Sequence, residues 1–184
     1  PDPASFPSYG DDTGKYAYHE DGWDLVGSDG ACPGQGDVPS GLRRSASGLY
    51  YGPEHPGNVA APNEGPSQGA QRAEVWAAAR WARQHRGRPE KLLTDSQLVV
   101  GRTNQILDEP NKTLPRKHRD LWAAIKEDIR AKGGDVPRTK SAVEKVRAHQ
   151  TWEEVAFRDD ATQQRWRINQ AADQAAVAGA EQQL

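Results

Sequence analysis

The segment between residues 71 and 94 restricts the fold more than any other part of the chain. Its apolar residues repeat at helical spacing, at Val75, Ala78, Ala79 and Ala82. The spacing i, i+3, i+4, i+7 predicts an amphipathic helix that starts at Gln71, and Gly87 and Pro89 end it. Residues 91–94, Lys-Leu-Leu-Thr, then predict a short buried strand of the parallel type. A helix that leads directly into a buried strand is typical of an α/β fold.

The segments on either side of this unit extend the same pattern. Before it, three strands are predicted, over residues 23–32, 43–52 and 57–61. After it, Ser96 is a natural N-cap for a helix. A further helix, a strand and a last amphipathic helix are predicted over residues 114–131, 142–148 and 168–175. Three early strands followed by alternating helices and strands indicate an α/β fold.

The first 22 residues differ from the rest, because prolines and glycines interrupt polar and aromatic residues there without a sustained period. This composition predicts a linker or tail over residues 1–22 and a domain over residues 23–181. The 184-residue chain fits one monomeric domain with a core of its own. Since the chain begins at Pro1 and contains no Met, we expect a segment of a longer polypeptide.

Composition and charge exclude several classes of protein. No run of about 18 apolar residues occurs, so the sequence predicts no membrane partner. The single cysteine, Cys32, excludes an internal disulfide framework and a CxxC zinc site, which favours a reducing, intracellular setting in the cytoplasm or nucleus. The formal charge of −2 argues against nucleic-acid binding. Basic residues nevertheless cluster over residues 80–91 and 112–119, so overall charge leaves nucleic-acid binding open.

Four acidic residues lie beside apolar strands or helix faces, where an unpaired carboxylate is costly to desolvate. They are Asp29, Glu74, Asp95 and Asp173. If these acids converge, they form a hard oxygen cage suited to Mg²⁺ or Mn²⁺. Two such ions about 4 Å apart activate a water and stabilise the leaving oxygen of an in-line displacement. The sequence therefore predicts metal-dependent phosphodiester chemistry, in which a nearby histidine could relay protons.

Six short motifs, in a fixed order, carry a resemblance to a known family. They are Ser-Asp-Gly-Ala-Cys at 28–32, Gln-Arg-Ala-Glu at 71–74, Thr-Asp-Ser-Gln at 94–97, Asp-Leu-Trp at 120–122, Val-Arg-Ala-His at 146–149 and Asn-Gln-Ala-Ala-Asp at 169–173. In this order the chain resembles the ribonuclease H domain of type 1, which occurs in cells and in reverse-transcribing elements. The resemblance covers residues 23–180.

The resemblance implies a ribonuclease H-like fold, with a five-stranded mixed sheet flanked by helices. It implies an endonuclease that uses two Mg²⁺ or Mn²⁺ ions to hydrolyse the RNA strand of RNA–DNA hybrids. The metal-binding, catalytic carboxylates would be Asp29, Glu74, Asp95 and Asp173. His149 would be the mobile catalytic histidine near the site. Three further residues match positions that touch the hybrid in relatives, namely Cys32, Gln71 and Gln97.

The chain departs from compact members of the family in two places. Ala70-Gln71 stands where many relatives carry two asparagines, which is expected to weaken one hybrid contact. Residues 150–168 form an insert before the last helix, and its Trp152, Phe157 and Trp166 lead us to expect an extra packed helix. No separate hybrid-binding module is visible, so the resemblance suggests a domain of a larger reverse-transcribing polyprotein. The source that the resemblance favours is a non-LTR retrotransposon.

Two alternatives remain open. The first is a related nuclease, such as a 3′–5′ exonuclease or an integrase-like transferase. Such exonucleases carry Asp-x-Glu in the first strand, whereas Asp29-Gly30-Ala31 lacks the glutamate. The second is a catalytically weak or inactive domain that binds or tethers hybrids within a reverse-transcribing element. The intact set of four acids argues against decay, although each acid alone also fits a turn or a helix end.

Overall fold

The predicted strands form a single mixed sheet that contains one strand more than expected. The computed structural model describes residues 18–34, 36–85, 88–133 and 140–182. Its strands are β1 (Tyr18–Glu20), β2 (Trp23–Ala31), β3 (Ala46–Tyr50), β4 (Val59–Pro62), β5 (Glu90–Thr94) and β6 (Ser141–Lys145). Five strands lie in the order β4-β3-β2-β5-β6, and β1 pairs with β2. The pairs β1–β2, β2–β3 and β3–β4 are antiparallel. The pairs β2–β5 and β5–β6 are parallel.

Five α-helices lie within the described ranges. They are α1 (Ala70–Gln84), α2 (Gln97–Asp108), α3 (Arg119–Gly133), α4 (Trp152–Val155) and α5 (Asp160–Glu181). The predicted cap is present, since the Ser96 side chain accepts a hydrogen bond from the Val99 N–H. None of the helices in these ranges is both long enough and apolar enough to cross a membrane.

The helices cover both faces of the sheet. Neighbouring residues of a strand point to opposite faces, and the core is divided accordingly. On one face Val26 and Leu92 belong to the cluster formed with α1, α2 and α3. On the other face Leu25 and Leu93 pack with Ile168 of α5. The sheet is therefore buried between three helices on one side and α5 on the other.

Glycines in the strands set how closely α5 approaches the sheet. A Cβ built on Gly27 would lie 2.6 Å from Cγ2 of Ile168, and one built on Gly48 would lie 2.6 Å from the backbone nitrogen of Ala176. Both distances are far below ordinary carbon contacts, so a side chain at either position would push the helix away. These two positions hold the last helix, and the acid that it carries, against the strands.

Strand β1 lies in the segment that the sequence predicts to be a linker. The Tyr18 N–H donates to the Tyr51 carbonyl at 3.0 Å, and Glu20 accepts hydrogen bonds from Arg165. A three-residue strand is too short to show a period, which explains why the sequence pattern missed it. Residues 1–17 of the predicted linker lie outside the described residues, and the domain bounds 23–181 remain a prediction.

The insert of residues 150–168 is helical, but it does not form one separate helix. Helix α4 is capped by the side chain of Thr151, which forms a capping box with Glu154. The rest of the insert belongs to α5, whose first turn is capped by the Asp159 side chain accepting from the Thr162 N–H. The last helix thus begins at Asp160, well before the predicted residue 168. The sequence pattern missed this start because the first turns of the helix are polar and carry no apolar stripe.

Candidate metal centre

The carboxyl ends of β2 and β5 bring two of the acids together. The two strands are parallel neighbours, and Gly27 is paired with Leu93. Asp29 and Asp95 each follow this pair by two residues, so the register places them at the same edge of the sheet. In open α/β sheets this edge is where ligands bind.

Helix α1 brings the third acid to the same edge. A Cβ on Gly30 would lie 2.7 Å from the Cβ of Ala73, so only a glycine allows the helix to start this close to β2. The Ser47 hydroxyl donates to the Ala73 carbonyl at 3.2 Å and ties the same turn to β3. Glu74 follows directly, and its Oε2 is buried with no hydrogen-bond partner in the described part of the chain.

The three carboxyl groups form a compact cluster. Asp29, Glu74 and Asp95 each offer an oxygen, and these oxygens all lie within 4.8 Å of one another. Asp29 is 6% exposed, and the Gly30 N–H donates to its Oδ1 at 2.9 Å. Burial is the main cause that raises the pKa of all three groups. The neighbouring Asp29 and Asp95 raise the pKa of Glu74 further, whereas a side-chain hydrogen bond with Glu74 lowers that of Asp29.

The fourth acid and the histidine reach this cluster from the exposed side. Burial raises the pKa of Asp29 most, the hydrogen bond with Glu74 lowers it, and a side-chain hydrogen bond with Asp173 of α5 raises it. For Asp95, burial again comes first in raising the pKa, the nearby positive charge of His149 opposes the rise, and Asp173 adds to it. Asp173 and His149 are both exposed. His149 has a φ of 57°, in the left-handed region that non-glycine residues rarely occupy.

The three residues predicted to touch a hybrid lie around the acids along the chain. Cys32 is a half-buried, free thiol just after β2, and burial raises its pKa. Gln71 is exposed in the first turn of α1, with its Oε1 3.4 Å from His118 Nε2. Gln97 is exposed at the start of α2. Each of the three lies within three residues of one of the clustered acids.

A basic cavity at the start of α1 was not predicted from the sequence. It has a volume of about 240 Å³ and is lined by Arg43, Gln68, Arg72, Lys117 and His118 among others. Arg72 binds Asp120 at 2.7 Å, and its Nη1 lies 3.3 Å from His118 Nδ1. The basic run at residues 112–119 was visible in the sequence. Its position beside Arg43 and Arg72 in one cavity is a tertiary arrangement, which no local pattern predicts.

Comparison with known proteins finds matches to the structure but none to the sequence. No protein-family model matches this sequence, and no curated protein sequence matches it either. Solved structures do match. The foamy viral protease-reverse transcriptase, solved with an RNA/DNA hybrid, superimposes with a TM-score of 0.56 at 19% identity over 85% of this chain. The match spans 20% of that viral chain.

Cellular ribonucleases give the same result. LC9-RNase H1, a type 1 RNase H with the type 2 active-site motif, has a TM-score of 0.53 at 19% identity, covering 90% of this chain and 76% of its own. LC11-RNase H1, isolated from compost by a metagenomic approach, has a TM-score of 0.52 at 14% identity, covering 88% and 97%.

The chain has the ribonuclease H-like fold. The predicted fold class, a mixed sheet flanked by helices, is therefore confirmed. Identities below 20% leave the roles of individual residues to the geometry of the acidic cluster.

Proposed function

We propose that this protein is a metal-dependent endonuclease that hydrolyses the RNA strand of RNA–DNA hybrids. One observation carries the proposal, namely the three carboxylate oxygens within 4.8 Å of one another at the carboxyl ends of β2 and β5. The fold supports it, because the structures that share this fold include RNase H1 enzymes and a reverse transcriptase solved with an RNA/DNA hybrid.

The cluster fits divalent metal ions. Its donors are hard carboxylate oxygens, which Mg²⁺ and Mn²⁺ prefer. Buried carboxylates with raised pKa values and an unpartnered Glu74 oxygen within the described residues form an arrangement that a cation stabilises. In the proposal Asp29, Glu74, Asp95 and Asp173 hold two ions.

Bound divalent ions would lower the pKa of the attacking water and neutralise charge on the leaving oxygen of an in-line displacement. The protein supplies the positions. Asp29 and Asp95 are fixed by the parallel register, and the Gly30 N–H orients one oxygen of Asp29. In the proposal His149, exposed beside Asp95, exchanges a proton at its imidazole with the leaving group or with solvent.

The hybrid would be contacted by residues around this cluster. Cys32 directly follows β2, and Gln71 and Gln97 lie in the first turns of α1 and α2, so each is close along the chain to one of the clustered acids. Small polar groups of this kind recognise the shape and hydroxyls of RNA rather than its bases. We further propose that the chain is a monomeric domain of an intracellular reverse-transcribing polyprotein, of the non-LTR retrotransposon type. The foamy viral protein, of which the match spans a fifth, offers a precedent for such an arrangement.

The direct test is cleavage of a strand-labelled RNA–DNA hybrid with Mg²⁺ or Mn²⁺. We expect cutting that is confined to the RNA strand and that is abolished in Asp29→Asn. Glu127→Gln, which changes an exposed acid on α3, is the matched control and should cut normally. Hybrid that is bound but never cut would favour the inactive tethering domain, and equal cutting of duplex DNA would contradict the proposed substrate.

A further inference from the structure

A second cavity lies directly beside the candidate metal centre. It has a volume of about 170 Å³ and lies between the end of β6, the segment that leads to His149, and the first half of α5. Its lining includes Lys145, Arg147, Gln150, Arg165, Trp166 and Asn169. None of these residues belongs to the acidic cluster, so we call this cavity the insert pocket.

The backbone places the insert pocket between two of the four acids. Lys145 is paired with Thr94 in the parallel ladder, and the Val146 N–H donates to the Thr94 carbonyl at 2.9 Å. Thr94 immediately precedes Asp95. On the opposite wall Asn169 lies one helical turn before Asp173 on α5. A ligand in the pocket is thus adjacent to the metal centre.

The insert of residues 150–168 builds a firm wall for the pocket. The Trp166 indole N–H donates to the Gln150 carbonyl at 2.8 Å, and the Trp166 ring lies 5.4 Å from that of Trp152. Arg165 is held by Glu20 at 2.6 Å and by Glu144 at 2.9 Å. The shape of the pocket therefore depends on the insert.

The charge of the pocket suits an anion. The two carboxylates that hold Arg165 offset its charge. Lys145 and Arg147, by contrast, are exposed, and across the described ranges neither makes an ion pair. The Lys145 charge also acts on Asp95 of the metal centre. Two exposed cations at a concave site attract phosphate, and a nucleic-acid backbone carries such phosphates.

A buried polar group indicates that the same ligand also supplies a hydrogen-bond donor. Asn169 is 9% exposed, and its Oδ1 is buried with no hydrogen-bond partner among the residues that the structure describes. Buried acceptors without a donor are rare in folded proteins. A phosphate oxygen cannot supply the missing donor, whereas a sugar hydroxyl can.

We propose that the insert pocket binds one ribonucleotide of the RNA strand next to the cleaved bond, with its phosphate at Lys145 and Arg147 and its 2′-hydroxyl at Asn169. The proposal rests on the function proposed above, since it names a binding site for the same substrate. It gives the insert a role, which is to extend the substrate site along the RNA strand. Recognition of a 2′-hydroxyl at this point also distinguishes RNA from DNA.

The phosphate contact is tested by the salt dependence of hybrid binding. Binding is measured by fluorescence anisotropy in the Asp29→Asn background, where no cutting is expected. The double variant Lys145→Gln, Arg147→Gln should bind about tenfold more weakly, and the slope of log Kd against log salt should fall by about one for each cation. Arg130→Gln, an exposed arginine on α3, is the matched control. A double variant with the slope of this control would overturn the phosphate assignment.

The hydroxyl contact is tested with hybrids that carry a single 2′-deoxy substitution at successive positions of the RNA strand. The Asp29→Asn protein should lose about fivefold in affinity at one position beside the cut. Adding Asn169→Ala should remove that loss and leave the other positions unchanged. Equal losses with and without Asn169→Ala would overturn the assignment, and unfolding midpoints confirm that each variant is folded.

The two proposals fail in different ways. Cleavage of the RNA strand by the unmodified protein, with pocket variants that behave like Arg130→Gln, would overturn the insert pocket and leave the nuclease intact. A protein that does not bind hybrids at all would overturn both.

Discussion

The candidate metal centre has two halves that differ in burial and in what supports them. The sheet half consists of Asp29, Glu74 and Asp95, which converge at the ends of β2 and β5 with their oxygens within 4.8 Å of one another. The helix half consists of Asp173 and His149, which are both exposed. The register of β2 with β5 and the contact at Gly30 set the sheet half, whereas the positions of α5 and of the segment before it set the helix half.

The difference follows from how each half is built. Gly30 lets α1 begin against β2, so Glu74 is carried on a contact between two backbones. Helix α5 also lies close to the strands at Gly27 and Gly48, but Asp173 follows the buried Ala172 and is itself exposed, at the rim of the helix. The sheet half is the more buried of the two, and the helix half is open to solvent.

The largest effect should separate the two halves by activity. We expect Asp95→Asn to lower the cleavage rate on the order of 10³-fold, because it removes a ligand of the ions that would stabilise the leaving oxygen. Asp173→Asn should lose only about 10²-fold, since its exposed position lets solvent replace part of the lost contact. Single-turnover rates at a series of Mn²⁺ concentrations measure both, and added metal should rescue Asp173→Asn more fully. Equal losses and equal rescue would mean that the halves do not differ.

A second variant examines the helix half by itself. His149→Gln should lower turnover about 10²-fold, the usual size of general acid–base catalysis, and should leave metal affinity unchanged. The pH profile of the rate should change as well, because the side chain at 149 no longer exchanges a proton. Calorimetric titration with Mn²⁺ and a pH profile of the rate measure the two effects. A large drop in metal affinity would show that His149 acts through the ions rather than on protons.

The sheet half was easier to predict from the sequence than the helix half. The apolar stripe of α1 and the run Leu92-Leu93 place Glu74 and Asp95 at the ends of regular elements. Their convergence with Asp29 additionally needs the pairing of Gly27 with Leu93, a tertiary contact. The motif order predicted that the acids belong together, but not how buried each one is.

The region around α5 resisted sequence reasoning for a physical reason. Its first turns, Asp160 to Arg167, hold polar residues that are stabilised by a cap and by ion pairs to distant strands. Such contacts join residues far apart along the chain and leave no periodic pattern. β1 was missed for a similar reason, because its hydrogen bonds with Tyr51 and Arg165 are made with residues that are distant along the chain.

Stability without metal should expose the repulsion within the sheet half. Burial and the nearby Asp29 charge raise the pKa of Glu74, and burial raises that of Asp29 and Asp95. Groups with raised pKa values bind more protons in the folded than in the unfolded protein. The free energy of unfolding should therefore fall as the pH rises above the ordinary carboxyl range of about 4.

Urea unfolding at about pH 5 and about pH 8, with and without Mg²⁺, measures this dependence. Glu74→Gln should stabilise the metal-free protein by about 1 kcal/mol at the higher pH and flatten the dependence, and Mg²⁺ should flatten it in the unmodified protein. Glu127→Gln, the exposed control, should do neither. A metal-free protein that becomes more stable as the pH rises would contradict the repulsion.

The smallest effect should come from the ion pairs that anchor the helix half. Arg165 joins α5 to β1 through Glu20 and to β6 through Glu144, and all three side chains are partly exposed. Solvent screens such pairs, so Arg165→Gln should lower the free energy of unfolding by less than about 1 kcal/mol. Its effect on cleavage should exceed that small loss, because a shifted α5 moves Asp173 and leaves the sheet half in place. Urea unfolding and single-turnover rates, compared with Arg130→Gln, measure the two quantities. A stability loss above about 2 kcal/mol would mean that Arg165 supports the core, and the helix half would then be as firmly held as the sheet half.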